Sequence, residues 1–589
     1  MANQVFTTKK PKDTRGTLRR ILSYLASYRW IIAVILLLSV VSNVLSLLGP
    51  SFAGSAINEA SAGVGKVNFE RVGYYAKRML LVYVASSLMT VSINILMTFI
   101  SKRIARKMRR DVFQKLMKLP VGFFDRNQSG DIISRVSYDI DVVSSCIATD
   151  VTQIVTSLVS VMGALLMMVV ISPVLSLVVL FTIPMSILYT VYMRRLVQPR
   201  YTRRSKSYGA LNGFVEEMLS GQKTIQAYAY ADSVGTRFDG VNTEAATAYY
   251  EAEYYGCTIG PTMNFINNTS LSLIAMFGSL LYMMEAVSLG NISSFVLYSR
   301  KFSGPINEIA NVINELFSAL SAAERVFHLL DETEETEDIP NAGTLTDVNG
   351  QVELNHVSFG YEPGKTILHD LSLSAAPGKL VAIVGPTGAG KTTIINLLMR
   401  FYDVDKGEIL VDGQEIRSLK RSSLRSAYAM VLQDTWVFGG TIFENIAYGK
   451  ENATREEVAA AARAARIHPF ILRLPQGYDT VISEDGGNIS KGQKQLLTIA
   501  RAMLYDAKML ILDEATSNVD TGTEREVQKA MRRLMTGKTC FVIAHRLSTI
   551  QNADLILVVD HGDVVEMGTH ETLMEKKGFY HQLYAAQFE

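Results

Sequence analysis

The sequence predicts a two-part chain: a polytopic α-helical membrane domain fused to an α/β domain with a largely parallel sheet. Three observations predict it. Long uncharged apolar stretches occur in the first half; basic residues gather at the ends of alternate stretches; and beyond residue 350 short β-rich runs alternate with helical patterns, one pair joined by a glycine-rich loop. At 589 residues the chain is too long for one core, and its 48% hydrophobic content beside 19% charged residues fits a membrane part joined to a soluble one. A net charge of +2 shows no basic excess, so nucleic acid is not an expected partner. Cys146, Cys257 and Cys540 are far apart and odd in number, which excludes both a metal-ligand spacing and a disulfide framework. The N-terminal MANQVFTTKKPKDTRG has no apolar core, so no cleaved signal peptide is expected.

A helix needs about 20 apolar residues to cross a bilayer. Residues 30–53 and 79–101 qualify, and 151–193 is long enough for two spans broken at Ser172-Pro173. Residues 256–284 make a fifth span. A sixth, 292–320, is weaker because it carries Arg300, Lys301, Asn307, Glu308, Asn311, Asn314 and Glu315. Lys9, Lys10, Lys12, Arg15, Arg19 and Arg20 precede the first span; six more cations lie within 102–110 and six within 194–206. The turns near 172 and 285–291 carry none, whereas the mixed 66–78 argues weakly the other way. The positive-inside rule then places both termini in the cytoplasm. The long basic segments 101–150 and 194–255 read as helical extensions of the spans, with polar turns at 122–143 and 214–232. Residues 15–30 place Leu18, Ile21, Leu22 and Leu25 on one face, the pattern of a helix lying on the membrane surface or of a solvated cytoplasmic helix. Asn264 and Asn268 are expected to face a wet cavity, and Glu315 to lie beyond the membrane.

An acidic, turn-rich run, DETEETEDIPNAG, follows Leu330 and marks a boundary. The resulting division is 1–29, a cytoplasmic N-terminus with its helix; 30–325, the membrane domain; 326–348, a linker; and 349–589, the α/β domain. In the last, LVAIVG (380–385) reads as a buried strand, followed by GPTGAGKTT and an apolar helix; KMLILDEA and TCFVIAH read as further strands. GPTGAGKT (385–392) matches the phosphate-loop pattern in the strand–loop–helix context that its mechanism requires. Gly385, Gly388 and Gly390 let the backbone turn its N–H groups onto phosphate oxygens, and the next helix adds its positive end. Lys391 reaches the β- and γ-phosphates in this reading, and Thr392 ligates Mg²⁺. Asp513 fits a second metal ligand and Glu514 the base that polarises water.

With these residues in place, the second half resembles an ATP-binding-cassette (ABC) domain, and the whole chain resembles a bacterial, multidrug-resistance-like ABC exporter half-transporter with six spans. The resemblance implies ATP and Mg²⁺ as cofactors, bound along the full loop Gly385, Pro386, Thr387, Gly388, Ala389, Gly390, Lys391, Thr392 and Thr393. It implies that Tyr361 stacks on adenine, that Gln433 contacts Mg²⁺ and senses the γ-phosphate, and that His545 contacts the γ-phosphate. Ser490, Gly492 and Gln493 match the family's signature sequence and, with Asp520 of the SNVD run, are implied to complete the ATP site of a second chain. The polar tips resemble loops that press on the cassettes.

In the signature, Lys491 stands where the family usually has glycine. Ser490 is a natural N-cap for the helix that follows, so Lys491 falls on its first position. A cation there opposes the helix dipole by about 0.3–1 kcal/mol unless a phosphate offsets it. Either the family tolerates the lysine, or ISKGQ is a weakened signature lying in the partner's site. Heterodimeric exporters show such a split, and the intact Glu514 would make this chain the glutamate-bearing member. The expected partners are therefore a second half-transporter, most simply a different chain, the lipid bilayer, and a small amphipathic substrate carried out across the cytoplasmic membrane. An exporter-fold importer of siderophore-like compounds and a homodimeric lipid or peptide transporter are the alternatives.

Overall fold

In a computed structural model of the chain, the structure describes residues 13–63, 65–432, 435–483, 487–513, 521–544 and 547–588. The chain divides into two compact units, Met1–Leu119 with Asn127–Thr333, and Pro120–Arg126 with Glu334–Glu589.

The first unit is helical throughout. Five of its described helices are long and apolar enough to cross a membrane: Arg29–Ala60, Phe69–Leu116, Ser129–Ile171, Pro173–Ser220 and Ala231–Met283. They contain the first five expected spans. The break inside 151–193 falls at Ser172, whose side chain accepts from Leu175 N (3.3 Å), with Pro173 starting the next helix. The sixth expected span lies within the helix Leu289–Asp331, whose charged residues leave it outside that group. Phe69–Leu116 and Pro173–Ser220 are each 48 residues, about 72 Å at ~1.5 Å per residue. That is more than twice a hydrocarbon core of about 30 Å, so the basic segments continue the spanning helices as rods.

Water is absent between lipid-embedded helices, so close approach and polar contacts do the packing. A Cβ on Gly290 would collide with the carbonyl of Gly54, and the two helices therefore meet backbone to backbone. Helix Arg29–Ala60 carries a polar stripe that binds a different neighbour at each step. Ser42 Oγ donates to Ser86 O (3.0 Å), Asn43 Oδ1 accepts from Ser160 Oγ (2.6 Å), and Leu47 O accepts from Tyr298 OH (2.6 Å). The N-terminal helix Thr14–Ala26 is pinned on one side, Arg20 to Asp331 (2.5 Å) and Tyr24 OH to Asp111 (2.9 Å), while Leu18 and Leu22 stay exposed.

One turn of the helix Ser129–Ile171, Arg135–Asp139, is a π-helix, and it turns Asp139 inward until 1% of its surface remains exposed. Arg325, on Leu289–Asp331, meets it with two parallel bonds, Nε to Oδ2 (2.8 Å) and Nη2 to Oδ1 (2.5 Å). Removing the carboxylate takes away both of these charge-assisted bonds to the guanidinium. Asp139→Ala is expected to destabilise this unit by about 2–4 kcal/mol, somewhat below the figure for a fully buried pair because the Arg325 side chain keeps 35% exposure. Maleimide labelling of the buried Cys146, two turns further along the same helix, reads the loss as a lower labelling midpoint on heating. An unchanged midpoint would show the pair to be worth little.

The second unit is built on a six-stranded sheet in the spatial order Asp563–Gly568, Leu555–Asp560, Leu380–Val384, Thr539–Ile543, Met509–Asp513, Tyr428–Val431. All neighbours are parallel except the antiparallel edge strand Asp563–Gly568. Parallel strands are covered on both faces, which is why runs such as Thr539–Ile543 are buried at every position. A second sheet, antiparallel, orders Leu368–Ala375, Val352–Phe359, Lys406–Val411 and Gln414–Glu415. Of the stretch read as linker, residues through Asp331 close a helix, and the acidic run is tied down: Glu335 pairs with Arg425 (2.6 Å) and Asp338 with the buried Arg421 (3.0 Å).

Candidate functional site

In an open parallel sheet the ligand crevice lies beyond the carboxyl ends of the strands. Strand Leu380–Val384 ends in the loop 385–390, and the helix Lys391–Leu398 follows at once. Two strands away, Met509–Asp513 ends on Asp513, in register with Ile543, which is itself in register with Ile383. The topology thus brings Lys391 and Asp513, 122 residues apart in sequence, to one edge.

The loop is held tightly from outside. A Cβ on Gly385 would strike the carbonyl of Val559, and Gly562 N donates to Ala389 O (3.1 Å). Gly390 N-caps the helix at φ 105°, a left-handed conformation that a side chain would strain. Lys391 Nζ bends back to donate to Gly385 O (2.8 Å) and Pro386 O (2.9 Å). Burial lowers its pKa, and the nearby Asp513 carboxylate works in the opposite direction. An ammonium kept on its own loop by two carbonyls can exchange them for anionic oxygens without moving far.

Thr387, Gly388, Gly390, Lys391, Thr392, Thr393 and Asp513 line one cavity of ≈ 400 Å³, closed by Ile367 and Ile543. Ala389 is buried beneath it. Among the described residues no group of three or more His, Cys, Asp or Glu could cage a metal. A hydroxyl and a carboxylate, Thr392 and Asp513, are nevertheless the hard-oxygen pair that suits Mg²⁺, which keeps several waters and takes its remaining ligands from phosphates. The donor set fits that ion.

Tyr361 stands 40% exposed, with its hydroxyl accepting from Asn396 Nδ2 (3.0 Å) and lying 3.3 Å from Thr393 Oγ1. Its ring is packed edge-on against Phe359 and Tyr402 (centroids 5.0 and 4.9 Å). Sequence reasoning missed Asn396 and Tyr402, since neither belongs to a motif. Tyr402 OH donates to Asp125 Oδ2 (2.5 Å) in the short helix Val121–Arg126, and burial, reinforced by that carboxylate, raises its pKa.

The signature residues sit elsewhere: none of Ser490, Lys491, Gly492 and Gln493 lines this cavity. Ser490 is the N-cap of the helix Lys491–Tyr505 and forms a reciprocal capping box, Gln493 N to Ser490 Oγ (3.3 Å) and Ser490 N to Gln493 Oε1 (2.8 Å). Lys491 is the first helical residue and is exposed; Gly492 is buried. Gln433, Glu514, Asp520 and His545 lie outside the described residues.

Comparison with known proteins agrees with this geometry. Residues 32–306 match the ABC transporter transmembrane region family, and residues 368–517 match the ABC transporter family. An ABC transporter ATP-binding protein of Bacillus subtilis (strain 168) is 43% identical over 580 residues, covering 98% of this chain and 96% of that protein. A protein of Mycobacterium tuberculosis (strain CDC 1551 / Oshkosh), named as a fatty acid ABC transporter ATP-binding/permease protein, is 44% identical over 518 residues, 88% of this chain and 82% of the relative. Among solved structures, a bacterial Atm1-family ABC exporter with ATP bound superposes with a TM-score of 0.76 at 28% identity, covering 96% of this chain and 99% of that one. A strand–loop–helix phosphate cradle on a parallel sheet, carried on the same polypeptide as membrane-long helices, therefore has one reading: the chain belongs to the ABC transporter family, as an ATP-hydrolysing, multi-pass transporter of exporter fold.

Proposed function

We propose that the chain is one half of a dimeric exporter that uses ATP to move amphipathic or hydrophobic, drug- or lipid-like compounds out across the cytoplasmic membrane by alternating access. The observation that carries this reading is the convergence of Lys391, Thr392 and Asp513 on one cavity, in a polypeptide that also supplies five apolar helices of membrane length. The distribution of basic residues supports cytoplasmic termini and a cytoplasmic ATPase domain. The mycobacterial relative named for fatty acids supports a lipid-like cargo.

In this mechanism the backbone of 385–390 and Lys391 hold the phosphates, and Tyr361 takes the adenine on its exposed ring face. Thr392, Asp513 and Gln433 would hold Mg²⁺, which would supply neutralising charge to the phosphates when bound. Glu514 accepts a proton from the attacking water, and His545 steadies the γ-phosphate. Ser490, Lys491, Gly492, Gln493 and Asp520 face the ATP of the second chain, so ATP joins two halves and its hydrolysis lets them part. Both states of the membrane helices exist beforehand, and the nucleotide biases them by its different affinity for each.

The second half is, in this reading, a different chain. Lys491 at an exposed first helical position supports a weakened signature, paired with an intact Glu514 on the same polypeptide. The test is purification of the chain alone and with the product of its neighbouring gene, followed by reconstitution into vesicles. ATP-dependent concentrative transport with one hydrolytic site per mixed pair is expected. Full activity of the chain alone, with two equivalent sites, would replace the heterodimer by a homodimer. ATP turnover with no concentrative transport would remove the pump reading.

A further inference from the structure

The helix Thr14–Ala26 has two faces, and one of them is used inside the first unit. Asp13 N donates to Glu324 Oε1 (3.0 Å) at its start. Arg20, paired with Asp331, also lies 4.4 Å over the Phe327 ring, and Tyr24, bonded to Asp111, stacks on the same ring at 6.3 Å. Thr17, on the same face, is buried. The helix is thereby braced against Phe69–Leu116 and against the end of Leu289–Asp331, whose chain continues into the second unit.

The other face carries Arg15, Leu18, Arg19, Leu22 and Ala26, spaced three or four apart and all exposed. Ser27 and Tyr28 alone separate the helix from Arg29–Ala60, the first apolar helix of membrane length. At most about 11 Å of chain joins the two, so the stripe is tethered where lipid begins. Trp30 stands at that junction, 76% exposed, with the Arg29 guanidinium 5.8 Å over its ring; tryptophan favours the membrane–water boundary. Exposed leucines are disfavoured in water, and arginines beside them are disfavoured in hydrocarbon. The alternation suits the head-group layer, where an arginine stem lies along acyl chains and its charged end stays at phosphate level. The charge has one sign: residues 14–26 contain no Asp or Glu, and residues 1–12 add Lys9, Lys10 and Lys12, again with no acid.

We propose that this face is a docking surface for anionic phospholipid head groups of the cytoplasmic leaflet, and that the braced face passes leaflet charge on to ATP turnover. Arg15 and Arg19 meet the lipid phosphates, and Leu18 and Leu22 lie among the upper acyl carbons. A zwitterionic head group carries its own cation and competes poorly for the arginines. The leaflet rests on the proposed cytoplasmic N-terminus, and side and docking are measured separately so that the two can fail independently.

The experiment uses the full chain, with its partner where one is required, in nanodiscs of phosphatidylcholine and phosphatidylglycerol, one or the other brominated on its acyl chains. Bromine quenches tryptophan on contact, and the native fluorescence minus that of Trp30→Phe reports the lipid beside the stripe. The native chain should reach half-quenching at a share of brominated phosphatidylglycerol about fivefold below that of brominated phosphatidylcholine, the size of one cation near an anionic surface. That preference should shrink as salt rises. Arg15→Gln with Arg19→Gln should abolish it, and the charge-keeping Arg15→Lys with Arg19→Lys should keep most of it. ATP turnover in the same discs should rise with phosphatidylglycerol for the native chain and stay flat for the glutamine pair. Equal shares of the two lipids at half-quenching of the native chain overturn the docking surface whether or not any variant folds, as does a glutamine pair that keeps the native preference. A turnover response that the glutamine pair retains overturns the link to ATP turnover. Discs offer both leaflets alike, so these results hold whichever way the chain faces. Labelling of Ala2→Cys in intact cells by an impermeant maleimide, with the native chain as blank, reads the side, and labelling from outside would overturn the cytoplasmic leaflet alone.

Discussion

Lys391→Ala is expected to cut ATP turnover by about 10²–10³-fold, with transport lost in proportion. Among the described residues lining the ≈ 400 Å³ cavity, which include Asp513 and three threonines, the ammonium is the one full positive charge. In the ground state its loss removes a charge-assisted hydrogen bond worth about 1.5–3 kcal/mol. In the transition state, where charge spreads over the transferring phosphoryl group, a preorganised cation contributes about as much again. Arginine is not expected to rescue. Nζ already sits 2.8 and 2.9 Å from two loop carbonyls, and a planar guanidinium would crowd a loop that Val559 and Gly562 hold from behind. Steady-state ATPase in detergent and nucleotide binding by a fluorescent analogue check both parts. Turnover within tenfold of the native chain would mean that Lys391 does not reach the phosphates.

Glu514→Gln is expected to have a different signature: turnover reduced by about 10²–10⁴-fold with ATP binding retained, because the amide keeps the size of the carboxylate and cannot accept the proton. Bound ATP should then accumulate and hold the two halves closed. Trapping of labelled nucleotide, together with cross-linking of the paired ATPase domains, separates this outcome from Lys391→Ala, which loses the nucleotide itself. Unchanged turnover would reject Glu514 as the base.

Much of the architecture was legible because it rests on short-range physics. Uncharged runs of about 20 residues report a bilayer directly, and Ser172-Pro173 announced the break between two spans because a capping hydroxyl followed by proline starts a helix. The phosphate loop was legible for the same reason: its glycines, lysine and threonines are contiguous, and the buried strand before it reads as an unbroken apolar run. Ser490 as an N-cap came from the same local logic, and the capping box with Gln493 shows it.

What the sequence could not provide was any relation between distant segments. Asn396, on the helix after the loop, and Tyr402, just beyond it, hold Tyr361 in place, yet no motif contains them; the fold brings Tyr361 back to them from 35 and 41 residues away. The π-turn that ends on the buried Asp139 has no pattern to read, and the partner of that carboxylate, Arg325, is 186 residues away. The acidic run after Leu330 marks a boundary by composition, and its pairing with Arg421 and Arg425 shows only in the folded chain.

The sequence by itself determined which stretches form helices apolar enough to cross a membrane and where the glycine-rich strand–loop–helix falls, because hydropathy, helix capping and loop chemistry act over a few residues. The tertiary structure alone decided that Asp513 and Lys391 line one cavity at the ends of parallel strands and that Tyr361 is braced from behind. Those are matters of where a chain returns in space, and they depend on the summed burial of the whole core rather than on any one stretch.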